Sequence, residues 1–177
     1  MIDSGVVLRW TLVVVTAAVF QIGLAPDFPV VGIVPDLLLA VAMAAGMAAG
    51  PRRGAIIGFW CGLLFDLMRP GPLGLSALAY AVCAYGVGSL LVSVITVRRV
   101  LAALVVFGGS FVALLIFSAG NEVLGGHALT VGHPWTIMFV VSATAGVLSV
   151  VAVPLARWAE GPGAIDSREG VLGSVDV

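Results

Sequence analysis

The chain has 177 residues, of which 61% are apolar and 10% charged. Soluble domains run at about 45–50% apolar and about 25% charged, and the mean hydropathy here is +1.20. Too little polar surface exists to cover a water-soluble globule, which excludes a soluble enzyme, a nucleic-acid binder and a disordered chain. Eight arginines, no lysine and nine carboxylates give a net charge of −1, so there is no basic face for nucleic acid. What remains is an all-α integral membrane protein.

Crossing a hydrocarbon core of about 30 Å takes about 20 apolar residues. Six runs come forward in chain order: Val6–Leu24, Asp36–Ala49, Gly54–Met68, Gly74–Ile95, Val100–Ala119 and Trp135–Ala156. They are separated by Pro26 and Pro29, Pro51, Pro70 and Pro72, Arg98 and Arg99, and Gly125 and Gly126. The first run is too long for a signal-peptide core, and Ala25-Pro26-Asp27 is not a small-x-small cleavage site. If all six runs span, Arg9, Arg52, Arg53, Arg98, Arg99, Arg157 and Arg168 share one side and only Arg69 lies opposite. The positive-inside rule then places both termini in the cytoplasm. Five spans would break that alternation. Residues 1–158 are expected to form one six-helix domain. Residues 159–177, rich in Gly, Pro, Ser and carboxylates, are expected to form a short disordered cytoplasmic tail.

Runs two and three are short, and each carries a carboxylate. Asp36 lies about 24 Å from Arg52, and Asp66 about 20 Å from Arg53, at 1.5 Å per residue. Both fall short of the far surface, which predicts an outward-facing polar dip lined by Asp36 and Asp66. An acidic group at membrane depth needs a partner. Arg69, three residues after Asp66, is placed to brace it. Asp36, after Pro35, opens its helix and can cap it. Structural and partner-binding roles are both open for these residues. Asn121 and Glu122 end run five on the same side, and solvation of Glu122 at the interface is the simpler reading.

Small residues carry a second signal. Gly54, Gly58 and Gly62 recur every four residues on run three, as do Gly46 and Gly50 at the end of run two. This spacing lets helix backbones approach closely. It predicts tight internal packing, with run two as a good partner, over a subunit interface.

The usual carriers of chemistry are missing. His127 and His133 have no third ligand. Cys61 and Cys83 sit in apolar runs as packing residues. Ser76, Ser93 and Ser110 have no histidine in register, and no HExxH, GxSxG or Walker motif occurs. No catalytic residue, metal site or cofactor is expected. Trp10, Trp135 and Trp158 lie near run ends as interfacial anchors, and Trp60 is mid-run.

One stretch resembles a known family. It runs from Val34-Pro35-Asp36-Leu37-Leu38-Leu39, through Arg53-Gly54-Ala55 and Gly58-Phe59, to Gly62-Leu63-Leu64-Phe65-Asp66-Leu67 and Pro72-Leu73-Gly74-Leu75-Ser76-Ala77-Leu78. A Pro-Asp opening the second segment, a Gly-rich segment ending in Asp and a Pro-Leu-Gly turn, in this order, resemble MreD, the rod shape-determining membrane protein family. Leu67-Met68-Arg69-Pro70-Gly71 departs from the smaller or polar residues common there. The resemblance implies a non-catalytic subunit of the bacterial cell-wall elongation complex, in the cytoplasmic membrane. Implied partners are MreC, through it RodA and a class B penicillin-binding transpeptidase, and the actin-like MreB on the cytoplasmic side. It also implies a six-helix fold like the substrate-binding subunits of energy-coupling-factor vitamin transporters. Residues to which a structural or partner role would carry over are Pro35, Asp36, Asp66, Arg69, Pro72 and Gly74, with the Gly54, Gly58 and Gly62 stripe.

Two other functions compete. A small-molecule-binding subunit of a vitamin-type transporter needs a concave outer pocket with convergent polar groups. A membrane enzyme such as a lipid transferase lacks a nucleophile, metal ligands and a phosphate clamp.

Overall fold

A computed structural model describes residues 4–23, 27, 29–30, 32–69, 73–91, 99–125 and 134–161. It contains six helices: α1 (Ser4–Gly23), α2 (Leu37–Ala49), α3 (Pro51–Met68), α4 (Leu75–Leu91), α5 (Arg99–Val123) and α6 (Pro134–Glu160). The chain is therefore an all-α membrane protein, with one helix for each of the six apolar runs. Of these, α1, α5 and α6 are long and apolar enough to cross a membrane. Pro72, His127 and His133, Arg98 and the residues after Gly161 lie outside the described residues.

The short helix α2 is the centre of the bundle. Its 13 residues are almost all Leu, Ala and Met, and Leu38, Leu39, Ala42, Met43, Ala44 and Ala45 are fully buried. It packs against every other helix. A helix that is apolar on all sides suits either lipid or a protein interior, and here the five neighbours enclose it. Its length of about 20 Å is too little to cross the core alone, so its neighbours carry it.

Helices α3 and α4 make the most extensive pairing. A methyl on Gly58 would lie 2.8 Å from the Tyr80 carbonyl oxygen, and one on Gly62 2.6 Å from Ala77 Cα. Only hydrogen fits there. The stripe therefore packs inside the protein, but chiefly on α4. Only its first member meets α2, where a methyl on Gly54 would lie 2.5 Å from Gly46 Cα. Helix α2 turns into α3 at Gly50, with φ 82°, and Pro51 takes the first helical position of α3. Gly88 of α4 admits that turn, since a methyl on it would meet Pro51 N at 2.6 Å.

Helix α6 continues to Glu160, two residues past the end expected for the helical part at residue 158. The reason is tertiary. Trp10 Nε1 donates to Glu160 Oε1 at 2.8 Å, and Arg53 donates to Glu160 Oε2 at 2.9 Å. One carboxylate, 3% exposed, thus ties the last turn of α6 to α1 and α3. The start of α1 and the end of α6 consequently share one end of the bundle.

Candidate functional site

The far end of the bundle gathers the residues singled out in the sequence. Asp36 is the N-cap of α2, and its carboxylate accepts the Leu39 N–H at 2.9 Å. An extended residue just before a helix can turn its oxygen onto free N–H groups of the first turn. The other oxygen, Oδ2, accepts the Tyr80 hydroxyl of α4. Gln21, near the end of α1, completes this junction. Its side chain donates to the Pro35 carbonyl at 3.0 Å and accepts the Leu37 N–H at 2.7 Å. Pro35 thus contributes through its carbonyl oxygen.

Asp66 works on the next helix. Its Oδ2 accepts the N–H of Gly74 at 2.8 Å, of Ser76 at 3.2 Å and of Ala77 at 3.4 Å. The last acidic residue of α3 therefore caps the start of α4 across the intervening loop. The first N–H groups of a helix have no partner within it, and this carboxylate supplies one. Gly74 has φ +94°, a conformation that costs a residue with a side chain and that glycine takes freely. This is the structural content of the Pro-Leu-Gly turn in its described part.

Two expectations are corrected here. Among the described residues Asp66 makes no ion pair with Arg69. The Arg69 guanidinium lies over the Phe65 ring, 5.3 Å from its centroid. The N–H groups of α4 already satisfy Asp66, and Arg69 sits past the end of α3 in extended conformation. Nor do the aspartates line an open polar dip. Asp36 is 4% and Asp66 7% exposed, and both turn inward onto α4. Tyr80 and Ser76 lie one turn apart on that helix. Phe65 packs against the Tyr80 ring at 5.9 Å. The structure thus brings Asp36, Asp66, Gly74 and Arg69 together around the start of α4, while Gly54, Gly58 and Gly62 continue along α3 towards the other end.

Sequence reasoning missed Gln21, Tyr80 and Glu160. A lone Gln near the end of an apolar run and a lone Tyr within one were available signals, because buried polar side chains need partners. Glu160 was hidden by the composition of the residues after it. Glu122 is half-buried at the end of α5.

At the same end lies a groove of about 660 Å³, formed by the end of α1, the start of α2 and α6. Phe20, Pro35, Leu37, Phe139, Thr144 and Val147 line it. It is apolar, and the aspartates are turned away from it.

A family model described as rod shape-determining protein MreD matches residues 1–160. No match was found among curated proteins or solved structures. The matched span takes in all six helices, the Pro35-Asp36 cap, the glycine stripe, Asp66 with its turn, and Glu160. The chain belongs to the MreD family of rod shape-determining membrane proteins.

Proposed function

We propose that this chain is a non-catalytic subunit of the bacterial cell-wall elongation complex. In this reading it sits in the cytoplasmic membrane with both termini inside and holds an MreC-type single-span partner. Through that partner it supports the RodA glycosyltransferase and a class B transpeptidase, with MreB on the cytoplasmic face. The family match over nearly all the helical chain is the observation that carries this reading. The arginines agree with the orientation, since Arg9, Arg52, Arg53, Arg99 and Arg157 all belong to the end that holds the start of α1 and the end of α6.

The partner's helix is assigned to the apolar groove between α1, α2 and α6. Phe139 is 59% and Val147 73% exposed there, so large apolar side chains are open to a neighbouring helix. The carboxylates act indirectly. Asp36 and Gln21 fix where α2 begins, and that fixes the groove wall at Pro35 and Leu37. Without lipid-to-protein hydrophobic gain, helices associate in membranes by close packing, so the shape of this wall matters more than its polarity.

The test is purification from native membranes with a photo-crosslinking residue at Phe139 or Val147. Crosslinking to a single-span protein, with the synthase and transpeptidase retained, is expected. Recovery with an ATPase module and a bound metabolite would replace this reading with a transporter subunit.

A further inference from the structure

A second groove, of about 410 Å³, lies between α1 and α3 at the arginine-rich end. Its walls are Val7, Thr11 and Val15 of α1 and Ile56, Trp60 and Leu64 of α3, and Arg53 and Glu160 close its outer end. We propose that it holds one acyl chain of an anionic phospholipid, with the headgroup at Arg53.

Depth argues for a lipid chain. Arg53 to Leu64 is about 16 Å along α3, and Val6 to Val15 about 14 Å along α1. The hydrocarbon core is about 30 Å thick, so the groove is one leaflet deep. An acyl chain needs one leaflet, with its headgroup at the surface. The wall is exposed along that length: Val7 is 50%, Ile56 57% and Trp60 56% exposed. Thr11, the polar side chain midway, already spends its hydroxyl on the Val7 carbonyl at 2.9 Å, so it presents little polarity to the groove.

Charge argues for an anionic headgroup. Among the described residues, Arg9, Arg52, Arg53, Arg99 and Arg157 belong to this end with the single carboxylate Glu160. Asp27, Asp36, Asp66 and Glu122 belong to the opposite end. Glu160 is buried and occupied by Trp10 and Arg53, while the Arg53 side chain is 48% exposed. Five arginines against one carboxylate leave this end of the bundle with an excess of positive charge, and about half of the Arg53 side chain stays open at the groove. Basic pockets between membrane helices attract anionic headgroups in this way.

The experiment uses the full chain in nanodiscs of equal parts phosphatidylcholine and phosphatidylglycerol, with retained lipid weighed by native mass spectrometry. One phosphatidylglycerol per chain is expected, favoured about fivefold or more over phosphatidylcholine. Thr11→Phe fills the groove and should abolish retention. Leu12→Phe, on the same helix but off the groove, should leave it intact. The Arg53→Gln/Glu160→Gln pair removes both charges together, leaves the excess at this end unchanged, and should weaken the headgroup preference by loss of the Arg53 contact while the chain site stays filled. Equal retention of the two lipids by the unaltered chain overturns the proposal, and so does equal behaviour of Thr11→Phe and Leu12→Phe. Capture of a protein helix, instead of lipid, by a crosslinker at Ile56 in native membranes also overturns it.

Discussion

Asp66 ends one helix and caps the next, and that single side chain explains why the α3–α4 connection needs an acid followed by a Gly turn. Losing a buried acceptor leaves N–H groups unsatisfied, at a cost of about 1–3 kcal/mol. The exposed Arg69 contributes a cation–π contact of about 0.5–1 kcal/mol. Asp66→Ala should therefore lower the melting temperature in detergent clearly more than Arg69→Ala does. If the two side chains do not pair, the double variant should be additive within about 0.5 kcal/mol. A larger coupling would restore the ion pair that the geometry replaces with a cap. Tyr80→Phe is expected to cost about 1.5–3 kcal/mol, because the hydroxyl it removes donates to the buried Asp36 carboxylate.

At the level of the helix, closeness of approach decides. Helix α3 comes within methyl distance of α4 or α2 at Gly54, Gly58 and Gly62, and the atoms met by an added methyl at Gly58 and Gly62 are mostly backbone atoms that cannot turn aside. Gly62→Ala should destabilise the bundle by about 1–3 kcal/mol, the usual cost of overpacking. Gly86 of α4 has nothing within 4 Å of such a methyl, so Gly86→Ala should be neutral or stabilise by up to about 1 kcal/mol. Thermal melts of the two variants side by side check this. A Gly62→Ala protein as stable as the Gly86→Ala protein would mean that α3 and α4 stand further apart than described.

For the molecule as a whole, Glu160 closes the ring between the first and last helices. Arg9 adds to the same junction by lying over the Trp158 ring at 5.5 Å. A chain ending at Gly161 keeps this latch and should melt like the full-length protein. A chain ending at Trp158 loses it and should melt lower, as should Glu160→Ala in the full chain. Both losses are expected at about 1–3 kcal/mol, since Trp10 and Arg53 each lose an acceptor. Equal melting of the two truncations would return Glu160 to the tail.

Helix number, approximate boundaries, membrane class and family were determined by the sequence alone, because long apolar runs, their Pro and Gly breaks and the ordered Pro35-Asp36, Asp66 and Gly74 motifs are local. The cap at Asp36 was legible for the same reason, since a cap is satisfied within its own first turn. What Asp66 bonds to was not legible. Spacing along α3 points to Arg69, but the free N–H groups that meet it belong to another helix and come close only after α3 and α4 pack. The partner of the glycine stripe was settled in the same way, by which backbones lie within methyl distance. Tyr80, Gln21 and Glu160 gained their roles only in the tertiary structure, where each buried polar atom has to find a partner from a distant part of the chain. The sequence set what must be buried, and packing decided what each buried group would touch.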